Sequence, residues 1–552
     1  MTSIENEIII PEKQTAIVLQ GGGALGAYEA GVVKAIFDKL KMKNGTPPSF
    51  DIIVGTSIGA ITASILVNDF MHHNKWDHAT ERLQEFWNDV STVSTPEMDP
   101  TFNSRWDYYH EVDPLVARPE AARRFYSVKD LLVRGARNIF GPPDIIPDSK
   151  FFDPLNTWFL YDSKPLEKLL AEKYLTQFPL KTSSELRQPR LLLVSVDIQE
   201  SIAVTFDSYE KEDDGTRKTQ YGEFIGKDTA GKRRFEHVIR YNDGIRIEHV
   251  LASSAVPIFY KYKQINCESG DSNNNNNNNN TVDARYFWDG ILLSNTPLRQ
   301  LINEHQDFWE NKIGDQALLD DMWKTYNDNQ KNIRNVPDLD VYIVDIWPTK
   351  KDAIPSNRDE SLDRMNDIMS NDKTEYDEAV ATFVSDYIDF VKQMRNLSAE
   401  AIDQIPNSNN QRKTLQRKLE EIPKKIAKST KRTGERRLYQ DLIKGRFNLN
   451  KVVRIERKED DNAISSKWQD FSSDTVRQLI DNGYKEGSFQ MDIYFQIDRV
   501  RDLLKDAKLN QDQADNFTHK LLKIRRNYLT RGKEDSAINH LQKIADEIQS
   551  FT

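Results

Sequence analysis

The chain has 552 residues, 38% of them hydrophobic and 29% charged, long enough to bury a sizeable core in one large domain or in several smaller ones. Lys plus Arg number 76 and Asp plus Glu 86, a net charge of −10 that argues against a nucleic-acid partner. Apolar runs such as 61–67 fall far short of the ~20 residues that span a bilayer, the single cysteine, Cys267, cannot close an intramolecular disulfide, and the polar start MTSIENEIII lacks a secretory-signal pattern, so a cytoplasmic protein without an integral membrane segment is expected.

Residues 1–13 read as a flexible lead-in. TAIVLQ at 15–20 is a short apolar run that stops at a glycine cluster, the pattern of a buried strand followed by a loop. Ala30, Val33, Ile36, Phe37 and Leu40 then recur at helical spacing, and Pro47 and Pro48 end that helix. DIIV at 51–54 predicts a second strand, and GTSIGA turns into a second apolar helix running to Val67. Strand, helix, strand, helix predicts an α/β fold with a largely parallel central sheet flanked by helices. Further strands are expected at 190–196 (RLLLVSV), 204–206 and 341–346 (VYIVDI).

The stretch 101–161 is rich in prolines and aromatics, among them Trp106, Tyr108, Trp158, Phe159 and Tyr161, and reads as a long surface-packed loop or a pocket wall that meets lipid transiently. Residues 211–234 suit an exposed hairpin or loop, and the asparagine tract within 271–281 predicts a disordered insertion. Residues 14–350 read as one domain, and 351–552 as a charged, mostly helical region. In the latter, Val380, Phe383, Val384, Tyr387, Ile388, Val391 and Met394 form an apolar stripe that predicts a docked helix. NKVVRIE at 450–456 reads as one more strand with a route back to the sheet, and 495–507, 517–529 and 538–548 as amphipathic helices. The basic cluster from Lys424 to Arg437 reads as a solvated helix face, with anionic lipid as the second reading.

GGGALG at 21–26 satisfies a dinucleotide-binding pattern, but the second strand does not end in the acidic residue which that use requires. Gly55-Thr56-Ser57-Ile58-Gly59 has the form G-x-S-x-G, in which a tight strand-to-helix turn lifts a serine hydroxyl above the sheet edge. There the helix amino end favours a developing oxyanion. A serine nucleophile also requires a base and aligned donors. The backbone amides of Gly22, Gly23 and Ile58 can supply donors. The nine histidines, including the cluster His72, His73 and His78, carry no catalytic or metal-ligand signature, so no metal and no cofactor is expected.

GGGALG, GTSIG and Asp289-Gly290 in YFWDGILLSNTPL occur in the order found in patatin-like phospholipases, which the chain resembles over roughly residues 14 to 350. EHVLASSAVPIFY at 248–260 is similar to the stretch preceding that family's Asp-Gly loop. The resemblance implies Ser57 as nucleophile, Asp289 as its base and Gly21, Gly22 and Gly23 as the oxyanion hole, with Gly26, Gly55, Gly59 and Gly290 as supporting motif positions. It implies a hydrolase that releases fatty acid from phospholipid or other lipid esters. Alternatives are a soluble carboxylesterase on other esters and an idle protein-interaction module. Asp197, at the end of RLLLVSVD, is the competing carboxylate. Leu25 stands where the family often has Arg or Lys, a departure that bears on phospholipid preference. The carboxyl-terminal part resembles the extension of one subset of the family, most closely in FSSDTVRQLIDNGYKEG at 471–487.

Overall fold

The computed structural model describes residues 10–92, 119–141, 160–209, 244–269, 282–313, 336–406, 410–421 and 447–507 (apart from 459 and 461), together with short pieces at 217–218, 237–239, 426–427, 437–438, between 513 and 521, and 534–549. The lead-in, most of the aromatic stretch, most of 211–234, the asparagine tract, most of the basic cluster and most of 517–529 lie outside the described residues.

Strand β1 (Lys13–Leu19) runs into the glycines, a short 3-10 turn (Gly23–Leu25) and helix α1 (Gly26–Asn44), which ends where Gly45 adopts a left-handed φ of 75°. Strand β2 (Ile52–Thr56) leads into α2 (Ile58–His73). The remaining strands are β3 (Arg190–Asp197), β4 (Ile202–Asp207), β5 (Arg217–Lys218), β6 (His237–Ile239), β7 (Lys263–Ser269), β8 (Val282–Asp289), β9 (Asp338–Asp345), the pair β10 (Ile426–Ala427) and β11 (Arg437–Leu438), and β12 (Leu449–Glu456).

Ten strands form one mixed sheet in the order β12-β9-β1-β2-β3-β8-β7-β6-β5, with β4 also paired to β3. The strands from β12 to β3 are all parallel, while β4 and β8 run antiparallel to β3 and the outer strands continue antiparallel. Side chains alternate across this sheet. Ile17, Leu19 and Ile53 join the core under α1 and α2, and Ala16, Val18, Ile52 and Val54 join a second core under the Leu298–Ile313 helix. Both faces are buried, which is why these strands read as continuous apolar runs.

Residues after 350 take part in the same framework. β12 pairs in parallel with β9 from Leu449 to Glu456, so the strand read at 450–456 does rejoin the sheet. The stretch 471–487 opens a 34-residue helix, Ser473–Asp506, which lies on α1. Two glycines set that crossing: a Cβ on Gly31 would run into the Ile480 carbonyl oxygen, and one on Gly483 into the Tyr28 carbonyl oxygen. Backbone thus meets backbone, and Tyr28 Oη donates to Glu486 at 2.8 Å across the seam.

The apolar stripe at 380–394 lies on a 29-residue helix, Glu375–Asp403, but the expectation that the stripe docks is corrected. Val380, Phe383, Val384, Tyr387 and Met394 are exposed. The helix attaches instead through polar groups: Arg454 bonds Glu378, Arg299 reaches Asp377 at 2.7 Å, and Ser385 Oγ donates to the Phe447 carbonyl at 2.9 Å.

Candidate active site

Ser57 is the hinge between β2 and α2, with φ 57° and ψ −123°. A side-chain-bearing residue pays for positive φ in steric strain, and the site holds it there by bonding its amide to the carbonyl and the Oγ of Ser253, each at 3.1 Å. Ser253 Oγ in turn donates to the Val194 carbonyl at 2.5 Å. The Ser57 carbonyl already accepts from Ala60 and Ile61, while the Ile58 amide lies in the first turn, where no intrahelical acceptor exists.

The sheet itself brings Asp289 to that hinge. β4 occupies one edge of β3 from Leu192 to Asp197, so β2 and β8 share the other. Along that edge Thr56 pairs with Val194 and Asp289 pairs with the next residue, Ser195. The end of β2 therefore abuts the end of β8, and Ser57 and Asp289 are the residues at the junction. Asp289 is fully buried, and its Oδ1 accepts the Ile291 amide at 2.9 Å. Burial pushes its carboxyl up to about 7, against the opposing pull of the nearby Ser57 hydroxyl and of the Ile291 amide. Among the described residues Asp289 Oδ2 has no hydrogen-bond partner.

The glycine loop is tied from two sides. The Gly21 amide donates to Asn295 Oδ1 at 2.9 Å, and the Gly21 carbonyl accepts from Trp347 Nε1 at 2.7 Å. Gln20 links Thr296 at 2.6 Å to the Ile346 amide at 2.8 Å. The Gly21 amide hydrogen, expected in the oxyanion hole, is thus bonded to Asn295, while its carbonyl is bonded to Trp347. The amides of Gly22 and Gly23 carry no bond to the described residues. Since carbonyl and amide point oppositely across a trans peptide, the Trp347 bond to the Gly21 carbonyl turns the Gly22 amide away from the indole. Gly23 has φ 56°, a region that favours glycine.

Gly26, Gly55, Gly59 and Gly290 serve close packing. A Cβ would lie 2.5 Å from Ile58 at Gly26, would strike the Gly59 carbonyl at Gly55, and would come within 2.5 Å of the Leu19 carbonyl at Gly59 and of the Val194 carbonyl at Gly290. Leu25 is buried in the core and does not line the cavity beside Ser57.

That cavity, about 230 Å³, is lined at its polar end by Gly22, Gly23, Ser57 and Ile58 and elsewhere mostly by apolar side chains such as Ile61, Phe86, Leu166, Leu251 and Phe259. Tyr161, from the aromatic stretch, joins this wall and packs on Phe140 at a 4.5 Å ring separation. Among the described residues no histidine lines it. His249 and His305 are both pushed down to about 3 by burial, and His249 Nδ1 takes the Arg246 amide at 2.8 Å. Asp197 Oδ1 accepts the amides of Gln199 and Glu200 at 2.8 and 3.1 Å, the work of a turn residue away from the cavity. Among the described residues no cluster of His, Cys, Asp and Glu suits a metal ion.

Three residues that complete the site were given no role by sequence reasoning. Ser253 and Asn295 lie inside LASSAVP and SNTPL, motif stretches quoted for their resemblance alone, and Trp347 lies just beyond the strand VYIVDI. Nothing in their spacing reveals that they bond to the Ser57 hinge and the glycine loop.

Residues 17–302, just over half the chain, match the family model described as patatin-like phospholipase. The chain belongs to the patatin-like phospholipase family, a family of lipid acyl hydrolases. Among solved structures it is similar to that of VipD from Legionella pneumophila, at 13% identity and a TM-score of 0.26, over 98% of this chain and 80% of that one. A likeness at that level carries no argument here. No curated protein matches the chain.

Proposed function

We propose that the protein is a serine acyl-ester hydrolase that releases fatty acid from lipid esters through Ser57 and Asp289. The observation that carries this reading is the meeting of a strained Ser57 with a buried Asp289 at the head of an apolar cavity. Asp289 removes the Ser57 proton as the hydroxyl attacks the ester carbonyl, and the freed amides of Gly22, Gly23 and Ile58 hold the oxyanion. The collapse of the tetrahedral intermediate expels the alcohol or lysolipid, protonated by Asp289, and leaves an acyl ester on Ser57. Water, deprotonated by Asp289, then attacks that ester, and Asp289 returns the proton to the Ser57 oxygen as the fatty acid leaves. A carboxyl near 7 suits this exchange, since it takes a proton and returns it at neutral pH.

In this reading the protein works in the cytoplasm and meets lipid surfaces transiently. Among the described residues no helix is long and apolar enough to cross a membrane. Met369 lines the cavity and is 66% exposed, and Ile258, beside Phe259, is also exposed, so apolar side chains border the mouth.

The test is hydrolysis of p-nitrophenyl esters with short to long acyl chains by wild type, Ser57→Ala and Asp289→Asn, each confirmed folded by circular dichroism. Loss of activity in both variants, with preference for longer chains in the wild type, supports a lipid hydrolase. Preference for the shortest chains favours a carboxylesterase, and activity that survives Ser57→Ala overturns the mechanism.

A further inference from the structure

We propose that Trp468, Gln469 and Phe471, far outside the family-matched stretch, form the wall that sets the acyl-chain selectivity of the cavity, with Trp468 as the specificity-determining side chain. This rests on the reading of the cavity as an acyl site. Trp468 and Phe471 line the cavity together with Met369 from the Arg358–Ser370 helix, so one side of it is built by chain that follows residue 350.

The placement of Trp468 is fixed from three directions. Its peptide packs on Gly23, where a Cβ would run into the Trp468 carbonyl oxygen and lie 3.3 Å from ring atom Cε3. Its ring meets Phe259 edge-on at 5.0 Å and 80°, spanning from the oxyanion loop to the opposite wall. Its neighbour Lys467 is buried, with Nζ 2.9 Å from Asp363 and bonded also to Asp367, both on the Arg358–Ser370 helix. A buried ammonium between two carboxylates is an anchor that does not drift, because withdrawing it leaves the ammonium and Asp367 uncompensated. The indole is therefore a rigid boundary of the acyl space, held by a charge cluster that itself stays out of the cavity.

A rigid aromatic at a cavity wall limits how much chain fits, and each methylene gained or lost in an apolar pocket changes selectivity by about tenfold or more. The full chain is compared as wild type, Trp468→Ala and Trp468→Phe. One measurement is kcat/KM across the p-nitrophenyl ester series. The other, in a Ser57→Ala background, is displacement of parinaric acid fluorescence by saturated fatty acids of increasing length. Trp468→Ala is expected to raise the long-to-short ratio by about tenfold in both series, and Trp468→Phe by part of that. Profiles that stay parallel to the parent in a folded variant overturn the proposal, as does failure of any fatty acid to displace or bind the probe. If Trp468→Ala does not fold, Trp468→Phe decides by the same comparison. If the wild type hydrolyses no ester, the displacement series still decides the wall while the hydrolase reading falls by itself.

Discussion

Trp347 donates its indole Nε1–H to the Gly21 carbonyl at 2.7 Å, so a side chain at the end of β9 sets the orientation of the peptide that precedes Gly22. Removing one oxyanion donor outright costs an enzyme about 10²–10³ in kcat, and loosening its aim costs less. Trp347→Phe keeps the ring and removes the donor. It is expected to lower kcat by about tenfold with little change in KM, measured on the best p-nitrophenyl ester; an unchanged kcat contradicts the aiming role.

Asp289 titrates near 7 in the folded protein because burial disfavours its charge. In its proposed role as base it must be ionised, so kcat/KM should rise with pH through an apparent pKa of about 7. Stability moves the other way. The unfolded carboxyl loses its proton near 4, and between there and about 7 the folded state holds a proton that the unfolded state has released, so stability falls as pH rises through this window. Asp289→Asn abolishes that dependence. Urea unfolding should show the variant gaining on the wild type from pH 5 to pH 8, by roughly 1–4 kcal/mol, while activity is lost. A constant difference across that range contradicts the buried-base account.

The Gly483 position has no room for a methyl group, because the Tyr28 carbonyl that faces it is backbone of α1. Gly483→Ala is expected to cost about 1–3 kcal/mol in urea unfolding. Since α1 begins at the glycine loop, the same variant should also lose hydrolytic rate, whereas an equivalent substitution at the open Gly45, which has nothing around it but requires left-handed φ, should cost stability and spare the rate.

Lys467→Met leaves Asp367 buried without its ion-pair partner, while Asp363 keeps Lys351 at 3.2 Å, and breaking such a buried pair costs about 3–5 kcal/mol. Adding Asp367→Asn should recover much of the loss. Thermal melts of the single and double variants check this; equal melting temperatures for both contradict the anchoring role.

The parallel half of the fold was legible because strands buried on both faces leave unbroken runs such as AIVL and RLLLV, whereas β12, the edge strand with mixed burial, was legible from its β-branched Val452, Val453 and Ile455. Strands β7 and β8 were not expected, since KQINCES and VDARYFWD carry polar residues throughout and owe their pairing to each other. The Ser57 hinge was visible as a turn motif that only glycine neighbours permit. Asp289 was not visible by composition, since an Asp-Gly pair marks many turns; its place came from resemblance, and the physical reason, two strands abutting on one edge of β3, exists only in three dimensions. The Trp468 wall was hidden for a similar reason: it lies more than 400 residues from Gly23 in sequence and touches it in space.

The central claim is that Ser57 is the nucleophile activated by Asp289, and the most direct measurement is covalent trapping. The protein is treated with an alkyl fluorophosphonate, digested and mapped by mass spectrometry. The account predicts one phosphonylated site, on the peptide carrying Gly55-Thr56-Ser57-Ile58-Gly59, absent from Ser57→Ala and formed far more slowly in Asp289→Asn. Labelling on a different residue, or labelling that persists in Ser57→Ala at the wild-type rate, would contradict it.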